Sequence, residues 1–195
     1  MGTRDRILDA AARVMGERGL AYATTKEIAK AAGYSEAALY KHFRDKGELC
    51  LAVLLERIPG GFGEWIQELP QRVGVGELRA ELVSLARLGA EFYAHSFGIM
   101  ASVFSDQQLL AAHRASMIEL GAGPQLPREL VAEYFAAEQR GGRISPAIAP
   151  QAAADLLVGA CLQCGFLASY EASADQDFTA FAESVVDTLL AGAAG

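Results

Sequence analysis

The chain has 195 residues, of which 52% are hydrophobic, and a net charge of −7 at pH 7. It is long enough to bury a sizeable core in one or two domains, and two domains fit better. Its three cysteines do not form a disulfide framework, and we expect neither a leader peptide nor an apolar run of transmembrane length, so the composition predicts a cytoplasmic protein without a membrane partner.

Charge is distributed unevenly along the chain. Residues 1–57 hold ten Lys and Arg against eight Asp and Glu, and the remainder holds seven against sixteen. All four lysines (Lys26, Lys30, Lys41, Lys46) lie in the first part. This segregation predicts a local basic patch that attracts nucleic acid, and an acidic remainder that a duplex repels. A role in solubility alone does not account for where the lysines are.

The first two predicted helices have clear boundaries. In the first helix, Ile7 and Leu8 face inward. The second helix begins at Thr24, which forms a capping box with Glu27. The second helix ends at Gly33, which adopts the left-handed conformation without strain. A turn is therefore expected directly after it.

A third, short helix follows this turn. Ser35 caps it, and Leu39 and Phe43 face inward, so that the second and third helices pack as a helix-turn-helix. Its start is built from small side chains that allow the backbone to enter a DNA major groove about 12 Å wide. Hydroxyl, imidazole and ammonium donors surround it. The predicted DNA-binding residues are Thr24, Thr25, Ser35, Glu36, Ala37, Ala38, Tyr40, Lys41, His42 and Lys46.

The alternative is that Tyr40 and His42 only pack a small domain and that the lysines are solvated. However, the I-A-x-x-A-G, L-Y-x-H-F and K-x-x-L pieces between Thr24 and Leu49 resemble the TetR/AcrR family of one-component transcriptional regulators. The resemblance covers about the first quarter of the chain. It implies an all-helical protein with a DNA-binding head, a ligand-binding body and a two-fold dimer.

The resemblance also implies individual roles. Tyr40, His42 and Lys46 match the family's phosphate contacts, and the segment 36–38 with Lys41 matches its base-reading region. Many relatives have glycine or proline at the position of Ala37. Glu36 would favour the N4 amino group of cytosine if it reaches a base, so the operator sequence does not carry over from relatives.

The rest of the chain is predicted to be helical. A fourth helix starts at Asp45 and runs to Pro59-Gly60-Gly61, which is either a hinge or an ordinary loop. Further helices are expected over 77–95, 99–120 and 128–139. We assign residues 1–46 to the DNA-binding domain and residues 47–195 to a domain for ligand binding and dimerisation.

Large apolar side chains with a few polar tips predict a pocket for a small apolar or aromatic effector. The candidates are Trp65, Leu88, Phe92, His95, Met100, Phe104, Met117 and Tyr134. Aromatic residues at helical spacing also occur in an ordinary core, and a single histidine on an apolar helix is often a hydrogen-bonded core group.

Two apolar helices near 150–172 and 177–192 are expected to form a four-helix bundle with a second copy of the chain. The candidate interface residues are Leu156, Leu157, Ala160, Cys164, Leu167, Phe181, Val185 and Leu189. The alternative is that both helices pack within one chain. Cys161-x-x-Cys164 lies within the first of them, without further metal ligands nearby, so core packing is expected, with redox sensing as the alternative.

The sequence thus predicts a DNA-binding regulator, most simply a repressor that a small effector releases from double-stranded operator DNA as the protein shifts between two states. We expect no metal and no cofactor. The alternatives are a helical protein-binding module and a small helical enzyme. No Gly-x-Ser-x-Gly, phosphate-loop or H-E-x-x-H motif favours an enzyme.

Overall fold

The computed structural model describes residues 2–20, 22–57, 61–119, 121–171 and 177–191, and within these ranges the chain is helical without any strand. The helices are α1 (Thr3–Arg18), α2 (Thr25–Ala32), α3 (Glu36–Leu39), α4 (Lys46–Glu56), α5 (Phe62–Glu68), α6 (Leu78–Ser105), α7 (Gln107–Glu119), α8 (Leu126–Arg140), α9 (Pro150–Glu171) and α10 (Phe178–Ala191). A 3₁₀ turn, Leu69–Arg72, follows α5. The predicted all-α fold is confirmed.

The helices form two compact units. The first unit comprises Met1–Pro59 and His95–Gly121, and the second comprises Gly60–Ala94 and Ala122–Gly195. Helix α6 contributes residues to both. The first unit extends past the predicted boundary at residue 46, because α4 packs on α1 and shares its core. The functional division at residue 46 stays a prediction.

The first unit has a core drawn from α1 to α4, the end of α6 and the inner side of α7. Ile7, Leu20, Ile28 and Leu39 have no exposed surface in this core. Full burial of one such side chain contributes roughly 1.5–3 kcal/mol relative to leaving it exposed. Burial of side chains such as Ile28 and Leu39 in this core therefore provides most of the stability of the short helices α2 and α3.

Ion pairs connect α1 with the end of α4 in the first unit. The Arg4 guanidinium donates to both carboxylate oxygens of Glu56, at 2.6 and 2.7 Å. Arg57 donates from Nε to Asp9 at 2.7 Å and from a terminal nitrogen to Asp5 at 3.0 Å. Bidentate and shared guanidinium contacts restrict the orientation of the two helices.

The second unit packs α8 against α9 and adds α5, the 3₁₀ turn, the first part of α6 and α10. Its largest fully buried side chains include Phe135, Leu69 and Leu82. Gly165 of α9 lies directly against the α6 backbone, where a Cβ would be 2.6 Å from the amide nitrogen of Ala94. Only glycine allows the two helices to approach this closely.

The sequence prediction was wrong about the break near residues 96–98. Helix α6 continues through Gly98 as far as Ser105, because Ile99 and Val103 bury their side chains and outweigh the cost of one helical glycine, about 1 kcal/mol. The break falls instead at Asp106. Its carboxylate accepts hydrogen bonds from the amides of Gln108 and Leu109 and so begins α7.

The expectation of no apolar run of transmembrane length is also corrected. Among the described residues, one helix, α9, is long and apolar enough to cross a membrane by length and composition, with a mean hydropathy of 1.5 over its most apolar window. One face of α9 supplies core residues such as Ala154 and Cys161. A core helix that is apolar on several sides meets the same criterion.

The predicted hinge lies mostly outside the described residues. Pro59 and Gly60 belong to the segment that the structure does not describe. Gly61 is described and has a φ of 66° directly before α5, a conformation that favours glycine. The hinge stays a prediction.

Candidate nucleic-acid interface

Local side-chain chemistry sets the boundaries of α2. The Thr24 hydroxyl accepts from the Glu27 amide at 3.2 Å, and the Glu27 carboxylate accepts from the Thr24 amide at 3.2 Å, which confirms the capping box. Gly33 ends the helix with a φ of 79°. The predicted turn therefore lies where the sequence indicates.

Helix α3 is a single turn. The Ser35 hydroxyl accepts from the Ala38 amide at 3.2 Å, and Leu39 is fully buried beneath the helix. Ala37 is exposed and Ala38 is half-buried, so the outer surface of this turn has no long side chain except that of Glu36. The shape is one that a DNA major groove can admit.

Thr25, Glu36 and Tyr40 form a hydrogen-bonded chain across the turn between α2 and α3. The Thr25 hydroxyl donates to the Glu36 carboxylate at 2.5 Å and lies 3.3 Å from the Tyr40 hydroxyl. Sequence reasoning named all three as DNA-binding residues but did not predict that they contact one another. Thr25 lies on α2, whereas Glu36 and Tyr40 belong to α3 and its end, so periodicity within one helix could not indicate these contacts.

Cationic and aromatic side chains flank α3. Tyr40, Lys41 and His42 directly follow α3 and are exposed, and Lys26 is exposed on α2. They provide donors of the kind that bind phosphate oxygens. The predicted positioning groups Tyr40, Lys41 and His42 are thus exposed directly after α3.

Lys46 differs from the free phosphate donor that the motif implies. Its ammonium group donates to the Leu20 carbonyl at 2.5 Å, and partial burial lowers the pKa of Lys46. Lys46 therefore also connects the start of α4 with the residues that follow α1. The Asp45 carboxylate caps α4 through the Glu48 amide at 2.8 Å, whereas the Glu48 carboxylate accepts from the Arg44 amide at 2.6 Å.

This helix-turn-helix lies within the segment that matches a known family. Residues 7–53 match the model of the bacterial regulatory proteins of the tetR family. The match gives about the first quarter of the chain the DNA-binding segment of that family. The chain is a DNA-binding transcriptional regulator, and neither the enzyme nor the protein-binding alternative is favoured.

Similar proteins extend the likeness to most of the chain. The transcriptional regulator AcrR of Shigella flexneri is 47% identical over 47 residues, or 24% of this chain and 22% of that protein. The regulator UidR of Escherichia coli K12 is 29% identical over 170 residues, or 87% of this chain and 82% of UidR. The structure of FadR from Bacillus subtilis in complex with stearoyl-CoA has a TM-score of 0.71 at 17% identity, and the match covers 96% of this chain and 98% of FadR. That structural likeness shows the fold.

The eight predicted effector residues are divided equally between the two units. Trp65, Leu88, Phe92 and Tyr134 belong to the second unit, where Tyr134 is buried and the other three pack around the core. His95, Met100, Phe104 and Met117 belong to the first. His95 is exposed, so the core alternative for this histidine is wrong. The structure thus groups four of the eight residues in the core of the second unit.

Polar groups lie among the apolar side chains of the second unit, and sequence reasoning missed most of them. The buried Glu138 carboxylate accepts from the Gly74 amide at 2.9 Å and pairs with Arg143 at 3.3 Å. Burial raises the pKa of Tyr134 above its ordinary value. The Arg72 guanidinium lies over the Trp65 ring, 4.8 Å from its centroid. No motif marks Glu138, since a buried acid is recognised only from its surroundings.

The predicted interface residues of α9 and α10 have mixed surroundings. Leu157 is fully buried in the core of its own chain, so its assignment to an interface is wrong, because no surface remains for a partner. Leu156 and Leu167 are exposed, whereas Ala160, Cys164, Phe181, Val185 and Leu189 are half-buried. Sequence reasoning missed Leu162, Phe166 and Tyr170, which are also exposed on α9. The spacing of four residues between Leu162, Phe166 and Tyr170 was the available signal.

The cysteines have the surroundings of core side chains. The Cys161 thiol is buried, donates to the Ala86 carbonyl at 3.4 Å, and has a pKa raised to about 12 by desolvation. Cys164 is half-buried, and desolvation raises its pKa as well. Both thiols therefore remain protonated at neutral pH, which disfavours the redox alternative.

Proposed function

We propose that this TetR-family regulator is a cytoplasmic homodimeric repressor that binds double-stranded operator DNA and leaves it when a small effector binds the second unit. The observation that supports operator binding best is the exposed surface of α3. Small side chains form its centre, and Lys41 and His42 provide phosphate donors beside it.

The second unit supports the effector part of the proposal. Trp65, Leu88 and Phe92 provide large apolar side chains, and the Phe92 ring lies 5.3 Å from that of Phe62. The FadR structure with a similar fold was solved with stearoyl-CoA, a ligand with a long apolar chain. We infer that the effector is mainly apolar and carries a polar group, because Tyr134 and Glu138 provide polar atoms next to the apolar residues.

Helix α9 supports dimerisation. Five large apolar side chains of α9, namely Leu156, Leu162, Phe166, Leu167 and Tyr170, are 40 to 80% exposed in the single chain. A contiguous apolar surface of this kind is typical of a protein interface. Two DNA-reading heads that contact half-sites about 34–36 Å apart also need a joint between subunits.

Fluorescence anisotropy with labelled random-sequence duplexes tests operator binding directly. We expect the logarithm of the affinity to fall linearly with the logarithm of the salt concentration, with a slope of about −0.9 per phosphate contacted. Lys41→Ala should make this slope less steep by about one and weaken all sequences about equally. A wild-type protein that does not bind duplex DNA at low salt would contradict the proposed function.

Arg128→Ala provides the matched control. Arg128 is a partly exposed cation on α8 that pairs with Asp155 at 3.6 Å, so its loss removes one positive charge without touching the first unit. The salt slope should stay unchanged. A change equal to that of Lys41→Ala would mean that net charge, rather than the surface of α3, controls binding.

A further inference from the structure

The contact between Thr25 and Glu36 gives Thr25 a different role from a phosphate donor. Thr25 is the first residue of α2 and Glu36 is the first residue of α3, so the 2.5 Å hydrogen bond joins the two helices at the surface that would face DNA. The Tyr40 hydroxyl, 3.3 Å from the same oxygen, completes the chain. One hydroxyl group thus contacts both other members.

The number of protons on each group fixes which group donates in the hydrogen bonds between Thr25, Glu36 and Tyr40. A hydroxyl has one proton to donate, whereas an ionised carboxylate only accepts. Thr25 therefore donates its proton to Glu36, and Tyr40 donates its own to Thr25. While this arrangement lasts, neither hydroxyl has a proton left for a phosphate oxygen.

The same contact uses one oxygen of the Glu36 carboxylate and leaves the other oxygen able to accept a hydrogen bond. Its second oxygen accepts no hydrogen bond from any other residue in the described part of the chain, and the side chain is half-buried. Carboxylate oxygens accept hydrogen bonds from the N4 amino group of cytosine in the major groove. A carboxylate there is also repelled by nearby phosphates, so its orientation decides whether it helps or hinders binding.

We propose that Thr25 is a positioning residue that holds the Glu36 carboxylate towards the DNA base edge, so that the pair selects cytosine at one operator position. The proposal rests on the proposed operator binding. It assigns specificity to a two-residue unit that spans α2 and α3. Glu36 makes the base contact, and Thr25 acts through Glu36.

The test uses the full-length protein and its own selected site. An operator is first obtained by repeated selection from random duplexes with the wild-type protein. Affinities are then measured for that operator and for versions with each other base at every position. We expect one position at which wild-type protein prefers cytosine by at least about fivefold, which corresponds to the lower end of a good base contact.

The variants separate positioning from phosphate binding. Thr25→Val removes the hydroxyl and keeps the shape of the side chain, and we expect the preference for cytosine to fall to less than about twofold. Thr25→Ser keeps a hydroxyl and should restore the preference. Glu36→Gln should lose it, and Thr25→Val added to Glu36→Gln should cause no further loss, because the two residues act as a unit. Thr188→Val, which removes an exposed hydroxyl from α10, is the matched control.

Two outcomes overturn the proposal. In the first, Thr25→Val keeps the full preference for cytosine. In the second, it weakens all sequences equally and reduces the salt slope by about one, as a lost phosphate contact would. Neither result affects the proposed function, which fails only if the wild-type protein binds no duplex. Circular dichroism of each variant confirms that the helices are intact.

Discussion

Gly165 lies so close to Tyr93 that a Cβ on the glycine would be 2.5 Å from the Tyr93 Cβ. Both residues belong to the second unit, where α9 crosses α6. Because backbone atoms of α6 lie as close as the side chain, no rotamer change relieves the overlap. Gly165→Ala should separate the helices and reduce the free energy of unfolding by about 1–3 kcal/mol, as overpacking does.

Urea denaturation measures this loss, and Gly98→Ala is its control. Gly98 is also a helical glycine, but a Cβ there would meet no heavy atom within 4 Å. Alanine should therefore stabilise α6 by about 0.5–1 kcal/mol. Equal effects of the two substitutions would mean that α6 and α9 do not approach each other as closely as the structure has them.

Stability should fall in acid. Hydrogen bonds to the Glu48 amide and to Arg4 lower the pKa values of Asp45 and Glu56, respectively, below their ordinary values of 3.8 and 4.5. Such groups stabilise the folded state fully above the unfolded-state pKa, and this contribution disappears as the pH falls through the lower, folded-state value. The free energy of unfolding should therefore decrease from about pH 4.5 downwards.

Urea denaturation between pH 3 and pH 7 tests this dependence. Glu56→Gln should show a smaller decrease in acid, by up to about 1 kcal/mol, because the Arg4–Glu56 pair is partly exposed. Glu64→Gln, an exposed acid on α5, should behave as the wild type. An identical acid dependence of all three proteins would contradict the assignment to Glu56.

Thiol reactivity should distinguish core cysteines from a redox pair. Cys50 and Cys161 are buried, and desolvation raises both pKa values to about 12, whereas Cys164 is half-buried. We expect a disulfide reagent at pH 8 to modify at most one thiol of the native protein, and slowly, because so little thiolate forms. Cys164→Ser should abolish that reaction. Rapid modification of two thiols, or a Cys161–Cys164 disulfide in mass spectrometry, would support redox sensing.

Changes on the exposed face of α9 should alter the oligomeric state. Leu156→Lys and Tyr170→Lys each place a charge on a surface that a second copy would bury, and the two together should give monomers at micromolar concentration. Thr179→Lys adds the same charge to the exposed side of α10 and should leave dimers intact. Light scattering reports the mass. A monomeric wild-type protein would exclude this interface.

The boundaries of the first helices could be read from the sequence. Thr24 with Glu27, Gly33 and Ser35 all act on backbone groups within about four residues of themselves, so their effects depend little on the rest of the fold. The inward faces of α1 and α2 followed equally well from helical spacing. The family motifs lie in this same part of the chain.

Other features depended on which helices pack together. Gly98 was expected near a break but lies within a helix that its buried neighbours hold intact. Leu157 has the pattern of an interface residue and is instead part of the core, whereas Tyr170 was overlooked and is 80% exposed. Apolar spacing identifies a face of a helix, but it does not say whether that face meets the same chain or a partner.

By itself, the sequence determined an all-helical chain, a capped helix-turn-helix and a resemblance to a family in its first quarter, because capping, turn chemistry and periodicity act over short distances. The tertiary structure alone decided that Thr25 holds Glu36, that Lys46 binds the Leu20 carbonyl, and that Gly165 touches α6. These contacts join residues from 11 to 72 positions apart. They form only when the helices pack, so no local pattern in the sequence encodes them.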